Sequence, residues 1–314
     1  MIHDIVTITL NPTIDRVMEV PGFRIGGHLP GRMRSRTPSG KAFNVTRALG
    51  LLGVSSTAAG WMGRDAIDAF EAAARAVGSV PRFIPIDAPT RENITVLDTK
   101  RGVETHIRDV GPEITSTDVD KLEHEISVLA HPSAIMVFSG STPPGVSPAQ
   151  FGAFIDLCIE KGARVAVDTS REPLSEAAAR GVWLIKPNLA ELMELTGREL
   201  TADEDIVAAA RALNARIPVV IVTLGERGAC CFADGRAHYG RAVLPMERVR
   251  STVGCGDAFM AGFLAEFCAA EGTAESAFRK ALAVAAASAM NEQPAMFTQE
   301  DVAWAKERLE LLSV

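Results

Sequence analysis

The chain has 314 residues, 47% hydrophobic and 23% charged, with a formal net charge of -7 at pH 7. This is globular composition with length for a large core, and without a basic stripe it excludes nucleic acid as an expected partner. The longest apolar stretch, residues 281–290, is too short and too alanine-rich to span a bilayer.

The five cysteines (Cys158, Cys230, Cys231, Cys255, Cys268) are odd in number and none are paired at metal-ligand spacing. Reduced thiols in the cytoplasm are the expectation. Length alone suggests about two domains, but a single large α/β domain fits as well.

Residues 1–6 read as the start of a strand and lack the charged and apolar regions of a secretory signal. Residues 5–10 form a β-branched run, as in a strand buried on both faces. Asn11-Pro12-Thr13-Ile14-Asp15 follows, which puts Asp15 at a strand end, able to accept hydrogen bonds from hydroxyls. Residues 16–19 and 33–36 are short, partly polar and strand-like. Ser39-Gly40-Lys41-Ala42-Phe43-Asn44 then opens a helix read over 45–52. Its N–H groups and Lys41 suit a polar or anionic ligand.

A helix over 66–77 precedes a hairpin, 93–98 and 103–108, around Lys100-Arg101-Gly102. The short strands and this hairpin form a small sheet added to the main body, a flap over a ligand or a pairing surface for a second subunit. Helices over 116–129, 148–160 and 204–215 alternate with strands over 134–138, 164–167, 183–185 and 219–223. Helices over 257–270, 274–291 and 298–312 complete the chain. Such alternation predicts a parallel sheet with helices on both faces and sites at the strands' carboxyl ends.

Polar groups recur at those ends. Ser139-Gly140-Ser141-Thr142-Pro143-Pro144-Gly145 is a loop of small residues. Lys186-Pro187-Asn188-Leu189-Ala190-Glu191 enters a helix with Asn188 and Glu191 on one face. Thr223-Leu224-Gly225-Glu226-Arg227-Gly228 ends the next strand.

Ser251-Thr252-Val253-Gly254-Cys255-Gly256-Asp257 is the most informative stretch. Two glycines before an apolar helical run predict a tight turn that aims backbone N–H groups, at the positive end of a helix dipole, toward one point. Asp257 adds a carboxylate beside that anion hole. Phosphoryl transfer to a hydroxyl needs this pairing of base and charge-stabilising turn. The same four residues also occur as a plain turn with an Asp near the N-cap. A dinucleotide fingerprint is excluded because Phe259 stands at its third glycine, and a P-loop because Gly40-Lys41 is followed by Ala42 with Ser35 at the earlier glycine position.

Together these segments, with Thr90-Arg91-Glu92-Asn93 and Asp168-Thr169-Ser170-Arg171-Glu172, resemble the ribokinase-like, phosphofructokinase-B family of ATP-dependent sugar kinases over nearly the full length. The resemblance is to its branch of 1-phosphofructokinases, tagatose-6-phosphate kinases and the minor 6-phosphofructokinase. It implies one three-layer αβα kinase domain over 1–314, with a mostly parallel central sheet and a small β-sheet lid from about 15–38 and 90–110. It also implies ATP, Mg2+, a sugar or sugar phosphate acceptor and a homodimer through the lid.

The roles it implies follow residue by residue. Asp257 would be the base, with Gly254, Cys255 and Gly256 as the anion hole. Asn188 and Glu191 would hold Mg2+–ATP through water. Lys186, Thr223, Gly225 and Thr252 would line the nucleotide site. Asp15, Gly40, Lys41 and Asn44 would hold the sugar, with Arg91 and Ser139 on its phosphate. Ser39 and Ala42 stand where the family commonly has glycine. His28 and Pro30 stand where the minor 6-phosphofructokinase has basic lid residues. The leading expectation is a kinase of a phosphorylated ketohexose: fructose 1-phosphate, tagatose 6-phosphate or fructose 6-phosphate. The rivals are a kinase of an unphosphorylated sugar or nucleoside, and a catalytically silent sugar-binding protein.

Overall fold

The structure, a computed structural model, describes residues 4–313, so the strand start read at residues 1–3 lies outside it. The first third contains β1 (Asp4–Thr9), β2 (Thr13–Glu19), β3 (Arg32–Ser39), α1 (Lys41–Leu51), β4 (Thr57–Gly63), α2 (Ile67–Ala76), β5 (Val80–Ile86), β6 (Arg91–Asp98) and β7 (Val103–Ile107). The middle contains α3 (Ser116–Leu129), β8 (Ala134–Ser139), α4 (Pro148–Glu160), β9 (Arg164–Asp168), α5 (Arg171–Ala179), β10 (Leu184–Ile185), α6 (Leu189–Thr196), α7 (Asp203–Asn214) and β11 (Val219–Thr223). Last come β12 (Ala229–Ala233), β13 (Arg236–Ala242), α8 (Cys255–Phe267), α9 (Ala274–Ala289), α10 (Gln299–Lys306) and β14 (Leu309–Ser313).

Ten strands form one sheet in the order β14-β13-β12-β11-β10-β9-β8-β1-β4-β5. From β5 to β11 every pairing is parallel, and β12, β13 and β14 add on antiparallel. The central strands β8, β11 and β12 are almost wholly apolar and buried because both faces are covered, and alternate side chains enter opposite layers, while the outer strands β5 and β13 carry exposed polar positions. Val6, Ile8, Met136 and Phe138 pack with residues of α3 to α7. Ile5, Ile135 and Val137 pack with α1, α8, α9 and α10. Phe70 of α2 meets Phe43 of α1 edge-on, with ring centroids 4.9 Å apart. Each such large side chain contributes about 1.5–3 kcal/mol on full burial. This is the three-layer αβα architecture expected from the sequence. Among the described residues, no helix is long and apolar enough to cross a membrane.

The second sheet has the order β3-β2-β6-β7. It is mixed: β2 runs antiparallel to β3 and parallel to β6, which pairs antiparallel with β7. Three of its strands, β2, β3 and β6, are longer than the sequence pattern suggested, and β7 ends one residue earlier. Four connections join it to the main body, and two of them are very short, β1 into β2 through Leu10-Asn11-Pro12 and β3 into α1 through Gly40.

One expected helix is corrected. The chain over 298–312 is not a single helix: α10 ends at Lys306, and β14 pairs along β13. The open edge of β13 gives this segment backbone partners that a lone helix end would lack, so tertiary context overrides the local leucine-rich pattern. β4 and β5, with alanine, glycine and proline in their runs, were not read from the sequence at all.

Going outward from β1, the chain fills β4 and β5 on one side, then returns to fill β8 to β11 on the other. The order therefore reverses between β1 and β8, and a crevice opens beyond their carboxyl ends.

Close packing at that point explains one glycine. Gly60 of β4 has φ +128°, and a Cβ there would lie 2.0 Å from the Thr9 carbonyl oxygen of β1. Gly60→Ala is expected to destabilise the fold by on the order of 3 kcal/mol or more, read as a lowered urea midpoint. An unchanged midpoint would mean that β1 and β4 separate freely.

Candidate active site

The crevice is lined by strand ends and by the N-termini of α1, α6 and α8. Gly254 opens α8 with φ 81°, and a Cβ on it would meet the Ala295 nitrogen at 2.6 Å, so only glycine fits the turn. The amides of the first turn of α8 have no intrahelical acceptor and face the crevice end of the helix dipole. Asp257 sits on this first turn and is buried.

Asp257 Oδ2 accepts a hydrogen bond from Asn44 Nδ2 at 2.8 Å. The orientation of that amide is set by its other end. Asn44 Oδ1 accepts from Ser39 Oγ at 3.2 Å and from Arg47 Nη1 at 3.4 Å, which leaves the NH2 group for Asp257. Arg47 also donates to the Pro38 and Pro294 carbonyls, tying α1 to both flanking segments.

Beside this pair lies Asp168, at the end of β9 and only 1% exposed. Its Oδ1 is 3.4 Å from Lys41 Nζ and its Oδ2 is 3.1 Å from Lys186 Nζ. Ser139 Oγ donates to Oδ2 at 3.5 Å. Lys186 Nζ also lies under the α8 turn, 3.2 Å from where a Cβ on Gly256 would stand. Gly256 therefore lets an ammonium approach the turn directly.

The two carboxylates are driven apart. Burial would raise both, but Lys186 and Lys41 hold Asp168 below the usual carboxylate range. Asp257 is pushed up to about 7, first by burial and then by the charge of Asp168, against the opposing pull of Lys41, Asn44 and Lys186. The Lys41 ammonium is held protonated well above its ordinary range, chiefly by Asp168, in spite of burial. A cleft with one carboxylate fixed as the anion and a neighbour able to exchange a proton near neutral pH can do acid–base chemistry.

On the small-sheet side, Asp15 Oδ1 accepts from Asn93 Nδ2 at 3.1 Å, across the β2–β6 pairing. Arg91 donates to the carbonyls of Asn11 at 2.9 Å, Pro12 at 3.2 Å and Asp109 at 2.9 Å. A guanidinium has five N–H groups, so two stay available. On the far side, Asn188 and Glu191 cap α6 reciprocally: Glu191 N donates to Asn188 Oδ1 at 2.9 Å, and Asn188 N to Glu191 Oε2 at 2.8 Å. This occupies one oxygen of each side chain and leaves Glu191 Oε1 outside the cap. Thr223 bridges to Asn188. Gly225 and Thr252 are exposed, Gly225 at the start of a short 3-10 turn after β11 and Thr252 in the segment just before α8.

The structure thus gathers Asp257, Asn44, Lys41, Lys186, Ser139 and the Gly254–Gly256 turn into one cluster, with Asp15 and Arg91 on one flank and Asn188, Glu191 and Thr223 on the other. The sequence reading gave no role to Asp168, Arg47 or Asn93. A signal for Asp168 existed, since it directly follows the strand read over 164–167; Asp15, expected at the end of the first strand, instead lies within β2, because residues 13–19 pair with β3 and β6. Arg47 and Asn93 carry no such mark: Arg47 bonds Asn44 and Pro38 nearby but also Pro294, 247 residues on, and the Asp15 partner of Asn93 is 78 residues away in the chain.

Fold and site together are those of an ATP-dependent sugar phosphotransferase. Residues 5–299 match the model of the pfkB family carbohydrate kinases, and the chain belongs to that family. A 1-phosphofructokinase of Bacillus subtilis (strain 168) is 30% identical over 290 residues, covering 92% of this chain and 93% of that protein. An ATP-dependent 6-phosphofructokinase isozyme 2 of Mycobacterium tuberculosis (strain CDC 1551 / Oshkosh) is 33% identical over 259 residues, covering 82% of this chain and 76% of that protein. The tetrameric inhibited form of phosphofructokinase-2 from Escherichia coli matches with a TM-score of 0.89 at 27% sequence identity, covering 98% of this chain and 99% of that one.

The buried Asp257 has a consequence for stability. In the unfolded chain it titrates near ~3.9, in the folded chain near about 7. Between these values the folded state binds more protons, so this group lowers stability as pH rises, and the full loss persists above the upper value. Asp257→Asn does not titrate. Its gain in Tm over wild type should be small at pH 4 and grow to a plateau by about pH 8. Scanning calorimetry across that range checks it, and a gain that shrinks with pH contradicts the assignment.

Proposed function

We propose that the protein transfers the γ-phosphoryl group of Mg2+–ATP to a hydroxyl of a phosphorylated ketohexose. The observation that carries this reading is the buried Asp257 carboxylate beside the first-turn amides of α8, flanked by Lys41 and Lys186. Asp257 takes the proton from the acceptor hydroxyl. The Gly254-Cys255-Gly256 amides and the two ammonium groups receive the negative charge on the moving phosphoryl. Asp15, Gly40, Lys41 and Asn44 orient the sugar. Ser139 and the two uncommitted N–H groups of Arg91 suit its phosphate.

ATP lies on the opposite side, along Lys186, Thr223, Gly225 and Thr252. Mg2+ fits the residues present if it keeps most of its water. Glu191 Oε1 is a hard oxygen donor at the crevice, and no cluster of three or more His, Cys, Asp or Glu among the described residues would cage an ion fully. When bound, the ion would neutralise phosphate charge, with Glu191 and Asn188 holding its water shell.

Fructose 1-phosphate and fructose 6-phosphate both suit a crevice of this charge. The likeness to 1-phosphofructokinases, with the weakly basic His28 and the uncharged Pro30, favours fructose 1-phosphate or tagatose 6-phosphate over fructose 6-phosphate. The whole chain acts as one kinase domain, with the small sheet as its lid. A homodimer through that sheet is supported by the exposed apolar side chains Met33, Val103 and Ile107 of its strands and Ile25 of the β2–β3 connection, and by the tetrameric form known for the Escherichia coli phosphofructokinase-2. Cytoplasmic residence agrees with five free thiols.

ADP release on a panel of fructose 1-phosphate, tagatose 6-phosphate, fructose 6-phosphate, free fructose, ribose and a nucleoside tests the substrate. A sugar phosphate should show the highest kcat/KM, and preference for an unphosphorylated acceptor refutes the reading. Asp257→Asn should keep ATP binding and lower kcat by roughly a hundredfold or more; near-normal turnover removes it from the role of base.

Glu191→Gln preserves the cap of α6, since an amide oxygen can still accept from Asn188. It should therefore raise the Mg2+ concentration for half-maximal rate without loss of Tm. A lower rate at unchanged Mg2+ dependence assigns Glu191 to some other task.

A further inference from the structure

The proposed mechanism uses Lys41, Lys186 and Asp257, but it does not use Asp168, the most buried of the described charged side chains at 1% exposure. We propose that Asp168 is a positioning residue: its two carboxylate oxygens hold the Lys41 and Lys186 ammonium groups on opposite sides of the crevice, and its fixed charge makes Asp257 the carboxylate that exchanges the proton. The inference rests on the kinase reading for what the lysines face, but its geometry stands without that reading.

Each oxygen has its own cation, Oδ1 with Lys41 at 3.4 Å and Oδ2 with Lys186 at 3.1 Å. The lysines come from different elements, one from the first turn of α1 and one from the residue after β10. The buried Lys186 ammonium and the half-exposed Lys41 ammonium would repel each other across this gap, and a carboxylate between them turns repulsion into two attractions. Asp168 itself is fixed by main chain. Its carbonyl accepts from Gly140 N at 2.9 Å, and Thr169 Oγ1 donates back to the Gly140 carbonyl at 2.8 Å. The ends of β8 and β9 are thereby tied together, which fixes the backbone that carries the carboxylate.

The groups that face Asp257 electrostatically are few. They are Asp168 from β9, Lys41, Asn44 and Arg47 from α1, Lys186 after β10, and Cys255 on its own helix. Asp168 alone among them carries a negative charge near neutral pH. Removing that charge takes away the repulsion on Asp257 and frees two cations to turn toward it. Both changes favour ionised Asp257, so its titration should move down. Removing Lys41 should move it up.

The test is 13C NMR titration of the aspartate carboxyl carbons in the ligand-free full chain, with Asp257 assigned by its absence in Asp257→Asn. In Asp168→Asn the Asp257 midpoint should fall by about one pH unit or more. In Lys41→Met it should rise, as should the midpoint of Asp168. The acid limb of kcat/KM for the best sugar phosphate should follow the same two directions, and Asp168→Glu should bring it back toward wild type. A merely structural Asp168 would lower activity and Tm without moving the Asp257 midpoint, and that outcome overturns the proposal. If Asp168→Asn does not fold, Lys41→Met decides, because an unchanged Asp168 midpoint there means that the two groups are not paired. The NMR arm needs no substrate. A wild type that turns over no sugar phosphate therefore refutes the proposed function, while the titration still decides this inference.

Discussion

A carboxylate buried at the carboxyl edge of a sheet persists as an anion only where cations meet it, and the crevice is arranged around that requirement at Asp168. Lys41 and Lys186 satisfy it from opposite sides. Their positions in turn need the start of α1 and the end of β10 to converge on β9. An uncompensated buried charge costs several kcal/mol, so the three elements hold their relative places through this one interaction. Asp257 then occupies the remaining space in a site that already contains its anion, and it becomes the carboxylate that gives and takes a proton near neutrality.

Topology supplies the rest. The reversal of strand order between β1 and β8 leaves a gap that helices do not cover, and the N-termini of α1, α6 and α8 point into it. Three helix N-termini and two lysines present positive groups to a crevice that also holds Asp168 and Asp257, on a chain with a net charge of -7. An acidic surface and an anionic substrate are compatible because the field that matters is local.

The sequence carried the sheet in its β-branched runs at residues 5–10, 134–138 and 219–223, because strands covered on both faces must be apolar throughout. It carried the crevice too, since polar clusters at successive strand ends have no structural cause of their own. It did not carry β4, where Gly60 is required by contact with Thr9 and weakens the local strand signal. It did not carry β14, whose partner is the edge of β13. Nor did it carry Arg47 and Asn93, whose meaning lies in contacts with distant segments. Local pattern reports what a residue needs from its neighbours in the chain, and these residues answer to neighbours in space.

The departures at Ser39 and Ala42 have a local accommodation. Ala42 is fully buried, so its methyl group is packed within protein and does not narrow the open crevice. Ser39 is the last residue of β3, and its hydroxyl donates to Asn44 Oδ1. A glycine there would leave Arg47 alone to orient the amide that serves Asp257. Through Ser39 the hydrogen bond to Asp257 depends on where β3 ends, and through Arg91 the β1–β2 connection depends on where β6 begins. A shift of the small sheet relative to the large one would therefore reach both Asp257 and the Asn11–Pro12 segment, because the β1–β2 and β3–α1 connections, two of the four that carry the sheet, are themselves parts of the crevice.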